Sequence, residues 1–235
     1  MRHAVADITF WYDPISPYAY LAFERLPDAL MGLSVQVRYR PVLFGALLQR
    51  LGQLGPAEIP GKRDWTYRQV QWLARERGVP LDLPAAHPFN PLSLLRLGLA
   101  CAHPQAPGET SRYVTERLFH HVWRGGGDPV SGERLQVLSE ALADHMVQCE
   151  RPWTVDTGPD SDAVKQRLRA NTDEALAQGV FGVPLMVCDG QPFWGQDALP
   201  MLRAYLGGDV WFDSPAWTDA GRLPVGIRRP VKPAA

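Results

Sequence analysis

The sequence predicts an α/β fold in which a β-α-β unit and a β-β-α unit are separated by a large all-helical block. Two observations support this. A strand-like stretch at 8–13 (ITFWYD) is followed by a helix-like stretch that begins at Ser16. The segment from about Gly45 to Gly179 then has mostly helical periodicity, and strand character returns only at 183–190 (VPLMVCDG).

The first β-α-β unit carries a signal for each of its elements. Aromatic and β-branched residues favour a strand at 8–13. Ser16 can cap the next helix and Pro17 suits its first position. Pro27 lies inside the helical pattern, so we expect a kink or an early stop there. Alternation at 33–44 predicts a second strand, parallel to the first and joined to it by a right-handed crossover.

The central block has apolar residues at helical spacing, interrupted by loops rich in proline and glycine. Its helical stretches are 63–78, 90–102, 110–127, 131–146 and 162–179.

After this block, 183–194 reads as a hairpin around Asp189 and Gly190, and a last helix follows at 196–208. This order of elements predicts a thioredoxin-like fold with a large all-helical insertion. We expect a discontinuous thioredoxin-like domain at 1–44 and 180–208, a helical insertion domain at 45–179, and an irregular tail at 209–235.

Composition narrows the classes of function. The 235 residues are 46% hydrophobic and carry a formal net charge of −1, which indicates a globular protein without an electrostatic footprint for nucleic acid or an anionic membrane. The longest apolar runs fall short of the roughly 20 residues that a membrane span needs. No apolar signal region precedes the first strand, and the three cysteines are isolated, so we expect a reducing, cytoplasmic location.

Four motifs occur along the chain in one order: FWYDPISPYAYLA (10–22), PGKRDWTYRQVQWLA (60–74), HPFNPLSLLR (87–96) and GVFGVPLMVCDGQPFWGQDAL (179–199). Together they resemble the 2-hydroxychromene-2-carboxylate isomerases. These enzymes are relatives of the kappa-class glutathione transferases and, more distantly, of the DsbA-type disulfide oxidoreductases. The resemblance extends over roughly 8–206.

The first of these motifs lacks thiols. The DsbA relatives place a C-x-x-C at the start of the first helix, where this chain has Ser16, Pro17, Tyr18 and Ala19. Dithiol exchange needs an attacking and a resolving sulfur, so disulfide chemistry at these positions is excluded by residue type. The resemblance implies that glutathione supplies the sulfur.

Ser16 is the candidate catalytic residue. A hydroxyl that donates a hydrogen bond to the glutathione sulfur, at the positive end of a helix, favours the thiolate. The alternative is that Ser16 only caps its helix.

The resemblance implies two further contacts with glutathione. Pro184 is expected to follow a cis peptide bond and to face the first helix, so that the Val183 backbone can pair with the cysteinyl part. The alternative is an ordinary proline at the first residue of a strand.

The γ-glutamyl end is expected at the segment Trp194, Gly195, Gln196 and Asp197, where Asp197 can meet the ammonium group. The alternative is that Gln196 and Asp197 merely cap the last helix. The family commonly has arginine after this aspartate, where this chain has Ala198.

The resemblance places the insertion over an aromatic carboxylate substrate. Lys62 or Arg63 could hold the carboxylate, the alternative being two solvated charges at a helix start. Asn90 either caps a helix or lines the pocket. Three tryptophans are expected to pack in the core or in the pocket wall: Trp65, Trp72 and Trp123. No metal site is expected, because His120 and His121 have no second ligand pair at a useful spacing.

The implied function is glutathione-dependent isomerisation of a 2-hydroxychromene-2-carboxylate-like catabolite of aromatic hydrocarbons. In that chemistry, thiolate addition opens the ring, rotation permits cis-to-trans change, and elimination regenerates glutathione. The resemblance also implies a homodimer. Two alternatives stay open, a kappa-like glutathione transferase or peroxidase and a non-catalytic thioredoxin-fold binding protein.

Overall fold

The computed structural model describes residues 5–227 and contains a four-stranded mixed sheet in the order β2-β1-β3-β4. The strands are β1 (Ala6–Tyr12), β2 (Val35–Pro41), β3 (Leu185–Cys188) and β4 (Gln191–Trp194). β1 pairs with β2 in parallel and with β3 in antiparallel fashion, and β3 and β4 form a hairpin. The predicted parallel β-α-β unit and the hairpin are confirmed. The second strand is shorter than the predicted 33–44, because a turn occupies 31–33 and a helix begins at Phe44.

The helices form three groups: two that flank the sheet, six in the insertion and one in the tail of the described residues. The sheet is flanked by α1 (Pro17–Leu30) and α8 (Leu199–Leu206). The insertion contains α2 (Phe44–Arg50), α3 (Pro60–Glu76), α4 (Leu92–Ala100), α5 (Arg112–Trp123), α6 (Gly132–Gln148) and α7 (Asp162–Ala177), and the tail contains α9 (Pro215–Thr218).

The expected early stop at Pro27 is wrong, since α1 continues to Leu30. Pro27 is exposed, whereas Leu26 and Leu30 are buried in the core. Burial of a leucine side chain contributes about 1.5–3 kcal/mol, which offsets much of the cost of a proline inside a helix. Packing of the last turn therefore outweighs the missing backbone hydrogen bond.

One hydrophobic core extends across the sheet and the insertion. Phe10 of β1 and Phe23 of α1 belong to the same buried cluster as Phe119 of α5 and Leu142 of α6. The Phe23 and Phe119 ring centroids are 5.2 Å apart. The insertion helices thus pack directly on the first β-α-β unit, and they hold the start of α1 from one side. The domain boundaries at 44/45 and 179/180 stay a prediction.

The described part of the C-terminal tail covers the outer end of the sheet. Short 3-10 turns at Val210–Asp213 and Ala220–Arg222 flank α9. Phe212 is buried and its ring packs edge-on against Tyr205 and Trp217, both at 5.2 Å. Residues 228–235 of the predicted tail, and 1–4 of the predicted first domain, lie outside the described residues.

No helix between residues 5 and 227 is long and apolar enough to cross a membrane.

Candidate active site

Ser16 occupies the turn between β1 and α1. It is the N-cap residue of α1, and its Oγ accepts a hydrogen bond from the Ala19 backbone N–H at 3.2 Å. The same hydroxyl donates to the Val183 carbonyl oxygen, also at 3.2 Å. Only 6% of the residue surface is exposed. Ser16 is therefore a cap and also a link between the first helix and the segment that precedes β3.

Asp13 stabilises the turn between β1 and α1 through hydrogen bonds. Its carboxylate accepts hydrogen bonds from the backbone N–H groups of Ile15 and Phe44, both at 3.0 Å, and its carbonyl accepts one from the Ser16 N–H. The side chain is fully buried, and this burial raises its pKa to about 7 although the two N–H groups lower it. Sequence reasoning missed Asp13, although an aspartate directly after a buried strand was a visible signal.

The peptide bond between Val183 and Pro184 is cis, which confirms that prediction. Val183 is buried, and its carbonyl faces Ser16. The Pro184 carbonyl accepts a hydrogen bond from the Gly195 N–H at 3.0 Å. One short segment therefore connects the Ser16 turn with the loop that follows β4.

The loop after β4 is shaped by Gly195. This glycine has a φ of +90°, and a Cβ added to it would lie 2.4 Å from Asp197 Oδ1. Asp197 is exposed, whereas the Gln196 side chain is buried. The loop thus presents a carboxylate outward from a backbone conformation that disfavours any residue with a side chain.

Trp194 lies at the rim of this loop. Its side chain is exposed and meets Phe181 edge-on at 5.2 Å, while its Nε1 approaches the Cα of Gly182 so closely that a Cβ there would lie 2.8 Å away. All the residues predicted to bind glutathione between 183 and 197 thus belong to one connected segment beside Ser16.

The insertion reaches the Ser16 turn through His87. His87 Nε2 lies 2.8 Å from the Ile15 carbonyl, and Nδ1 lies 2.7 Å from the Tyr67 hydroxyl. Because a carbonyl only accepts, Nε2 carries the proton and Nδ1 accepts from Tyr67. Burial lowers the pKa of His87, a nearby Arg63 lowers it further, and the hydrogen bond to Ile15 opposes both, so the ring is neutral at pH 7.

Arg63 belongs to the same cluster, since its guanidinium lies 5.5 Å from the Tyr67 ring centroid. Lys62 is exposed at the start of α3. Asn90 is also exposed, and its Oδ1 accepts from the Leu92 N–H at 3.1 Å, although the N-cap position of α4 is Pro91. Within residues 5–227, neither Lys62 nor Asn90 has a hydrogen bond or ion pair to the Ser16 turn.

The expected packing in the core is wrong for Trp65 and Trp72, and their place in a pocket wall stays a prediction. Trp65 and Trp72, both in α3, are 62% and 58% exposed. Trp123 is fully buried, and its Nε1 donates to the Pro14 carbonyl at 2.8 Å. It therefore supports the turn from the insertion side.

Arg77, at the end of α3, is a second residue that sequence reasoning missed. Its guanidinium donates a hydrogen bond to Gln196 Oε1, and 23% of its side chain is exposed. No spacing in the sequence could have indicated this contact, which joins residues 119 positions apart. Between residues 5 and 227, no group of three or more His, Cys, Asp or Glu side chains could hold a metal ion.

The geometry defines a thioredoxin-like protein with Ser16, rather than a cysteine, at the N-terminus of its first helix. The DSBA-like thioredoxin domain model matches residues 7–207, so the chain belongs to that family, and its fold is the predicted one. The resemblance to the chromene-carboxylate isomerases is confirmed. The chain is 28% identical over 210 residues to the 2-hydroxychromene-2-carboxylate isomerase of Sphingobium xenophagum, covering 85% of this chain and 97% of that one.

Two other similarities agree with this. The glutathione S-transferase kappa 1 of Rattus norvegicus is 26% identical over 220 residues, covering 90% of this chain and 95% of the transferase. A solved structure of a 2-hydroxychromene-2-carboxylate isomerase superposes with a TM-score of 0.67 at 22% identity, covering 93% of this chain and all of that one. This last similarity supports the fold alone.

Proposed function

We propose that this protein is a glutathione-dependent isomerase of a 2-hydroxychromene-2-carboxylate-like aromatic catabolite. The observation that carries the proposal is the Ser16 hydroxyl, held at the first turn of α1 against the Val183 carbonyl. The similarity to isomerases over almost their whole length supports the same reaction class.

The residues of the site fit glutathione. Asp197 offers an exposed carboxylate for the ammonium group of the γ-glutamyl end, and Ser16 offers a hydroxyl for the cysteinyl sulfur. Val183 and Pro184 lie between them, where backbone groups would bind the cysteinyl part. Bound glutathione would supply a nucleophilic thiolate.

The role of Ser16 would be to stabilise that thiolate. Lowering a thiol pKa by about two units requires roughly 2.7 kcal/mol of differential stabilisation. A hydrogen bond to a charged group contributes about 1.5–3 kcal/mol and a helix N-terminus about 0.3–1 kcal/mol. Both act at Ser16, provided that its hydroxyl proton turns from the Val183 carbonyl towards the sulfur.

The substrate carboxylate would bind on the insertion side. Arg63 is the strongest candidate, because Tyr67 and His87 join it to the Ser16 turn through direct contacts. Lys62 and Asn90 are further candidates at the outer rim. Arg63→Met should raise KM for the substrate more than it lowers kcat if the guanidinium binds the carboxylate in the ground state.

A turnover experiment tests the proposal. The protein is given a chromene carboxylate and sub-stoichiometric glutathione, and substrate conversion and free thiol are followed together. Conversion to the equilibrium mixture of the two isomers, with many turnovers per glutathione molecule and full recovery of thiol, is expected. Conversion that stops when the glutathione is used up would contradict an isomerase.

A second candidate function is a kappa-like glutathione transferase or peroxidase, favoured by the kappa relatives that cover most of this chain. It would use the same Ser16 but would consume glutathione. The recovered thiol in the experiment above decides between the two.

We also propose a cytoplasmic homodimer. The described cysteines are free thiols, which fits a reducing compartment.

A further inference from the structure

A cation from the insertion enters the loop proposed to hold the γ-glutamyl end. Arg77 leaves the last turn of α3 and donates a hydrogen bond to the Oε1 of Gln196, whose side chain is buried. The next residue in that loop, Asp197, is close enough to influence the Arg77 guanidinium electrostatically. A cation and a carboxylate therefore lie together at one end of the candidate site.

The surroundings of Arg77 favour an additional anion. Burial lowers the pKa of Arg77, and a neighbouring cation, Arg25, lowers it further. The carboxylates that oppose this are Glu76, 3.7 Å from Arg77 Nε and half exposed, and Asp197, which is exposed. Binding of a carboxylate would stabilise a partly desolvated guanidinium that lies beside a second cation. The remaining N–H groups of the guanidinium can donate two parallel hydrogen bonds to the two carboxylate oxygens.

The γ-glutamyl end of glutathione carries an ammonium and a carboxylate on one carbon atom. Asp197 matches the ammonium and Arg77 matches the carboxylate, whereas the residue after Asp197 is the uncharged Ala198. We propose that Arg77 binds the α-carboxylate of glutathione while Gln196 holds the guanidinium in place, an inference that rests on the proposed function. The helical insertion then contributes a ligand to the glutathione site, so this site is complete only when α3 is docked.

A second contact, between α3 and α1, lies beside the loop that contains Gln196 and Asp197. The Tyr18 hydroxyl of α1 donates to Gln69 Oε1 of α3 at 2.6 Å, and burial raises the pKa of that tyrosine, with a smaller contribution from the nearby Asp197. Tyr18, Gln69, Arg77 and Asp197 thus belong to one patch around the loop.

Calorimetric binding of two thiol peptides tests the proposal. Glutathione is compared with 4-aminobutyryl-cysteinyl-glycine, which keeps the amine and the thiol but lacks the α-carboxylate. Arg77→Gln should weaken glutathione binding about tenfold to a hundredfold. It should leave the affinity for the carboxylate-free peptide within about twofold of wild type. Arg75→Gln is the matched control, because Arg75 is an exposed arginine of the same helix, and it should change neither affinity.

Equal weakening for both peptides would overturn the proposal, since Arg77 would then only shape the loop. Unchanged glutathione binding in Arg77→Gln would overturn it as well. Failure of the wild type to bind glutathione at all would instead contradict the proposed function. A thermal unfolding measurement on Arg77→Gln checks that the variant is folded. Arg77→Lys keeps the charge but cannot form two parallel hydrogen bonds to a carboxylate, so its affinity for glutathione should lie between those of wild type and Arg77→Gln.

Discussion

The Ser16 hydroxyl and the Val183 carbonyl oxygen lie 3.2 Å apart, although 167 positions separate the two residues. A serine hydroxyl has one proton, so in this arrangement it donates to Val183 while it accepts from Ala19. Ser16 thus caps α1, connects two distant segments and, in the proposed function, stabilises a thiolate. The first prediction separates the structural roles from the chemical one.

Replacing Ser16 by alanine removes the hydroxyl and should lower activity by about tenfold or more, the equivalent of losing a hydrogen bond to a charged group. Loss of the cap should also lower the free energy of unfolding by about 1 kcal/mol. Steady-state kinetics, and titration of the thiolate of bound glutathione by its ultraviolet absorbance, measure the chemical part. Normal turnover with an unshifted thiolate would mean that Ser16 is only a cap.

The matched control for this variant is Ser111→Ala. Ser111 caps α5 with the same geometry, its Oγ accepting from the Val114 N–H at 3.2 Å, and it makes no described contact with the Ser16 turn. It should lose a similar amount of stability while kcat/KM stays at the wild-type value. A comparable activity loss in both variants would point to destabilisation as the common cause.

Asp13→Asn should change the pH dependence of stability. Burial raises the pKa of Asp13 to about 7 in the folded state, against about 3.9 in an unfolded chain. The unfolded carboxyl thus ionises first, so the stability that Asp13 contributes is fully present below about pH 4 and is lost as the pH rises through about 7. Asparagine cannot ionise, so its effect on the free energy of unfolding should not depend on pH. The variant should be destabilised by a constant amount, because an N–H₂ group replaces one of the two oxygens that accept hydrogen bonds from the Ile15 and Phe44 N–H groups.

Urea unfolding at pH 5 and pH 8 checks this sign. The stability of Asp13→Asn relative to wild type should improve by about 1–3 kcal/mol between the two pH values. A pH-independent difference would show that Asp13 keeps an ordinary pKa in the folded protein.

The sequence predicted the sheet, the helical insertion and the motifs around Ser16 because each rests on local periodicity or on a short contiguous pattern. It could not indicate Arg77, whose partner Gln196 lies in another segment, or the outward orientation of Trp65 and Trp72. The predicted helix stop at Pro27 was wrong because the tertiary packing of Leu26 and Leu30 decides where α1 ends. These features depend on contacts between segments that are distant in the sequence, and local sequence patterns do not predict such contacts.

Gly195→Ala should weaken glutathione binding. A Cβ at position 195 would lie 2.4 Å from Asp197 Oδ1, so the carboxylate proposed to bind the ammonium group would have to move. Gly190→Ala is the control, because Gly190 also has a positive φ, +76°, but a Cβ there has no neighbour within 4 Å. Both variants should lose about 1–3 kcal/mol of stability through backbone strain, Gly195→Ala more than Gly190→Ala, and only Gly195→Ala should lose affinity by calorimetry. Equal affinities would argue against a ligand role for this loop.

The proposed homodimer predicts a mass in solution of twice 26.2 kDa, independent of dilution over the micromolar range. The exposed Trp211 and the apolar residues that follow it in the tail are candidates for the interface. Light scattering of the full chain and of a chain ending at residue 208 compares the two masses. A monomer at every concentration would remove the dimer proposal, and an unchanged dimer in the shortened chain would remove only the role of the tail.

The final prediction restores two thiols to the turn. Ser16 and Ala19 lie three residues apart at the first turn of α1, and Ser16 Oγ is already 3.2 Å from the Ala19 amide nitrogen. The double variant Ser16→Cys, Ala19→Cys should therefore form an intramolecular disulfide after modest adjustment. In the reduced form, the first cysteine should have a lowered pKa, because it is at the N-terminus of a helix and faces the segment before Pro184.

Oxidation should abolish isomerase activity in this variant, since the sulfur of residue 16 would be bonded to residue 19 and would fill the space of the glutathione sulfur. Thiol titration with and without reductant, followed by the ultraviolet pH titration of the reduced protein, measures both properties. The single variant Ala19→Cys is the control: it keeps Ser16 and should keep most of the activity. A double variant that forms no disulfide, with a first thiol that titrates near its free value of about 8.5, would contradict the assignment of residues 16 and 19 as the thiol positions of this fold.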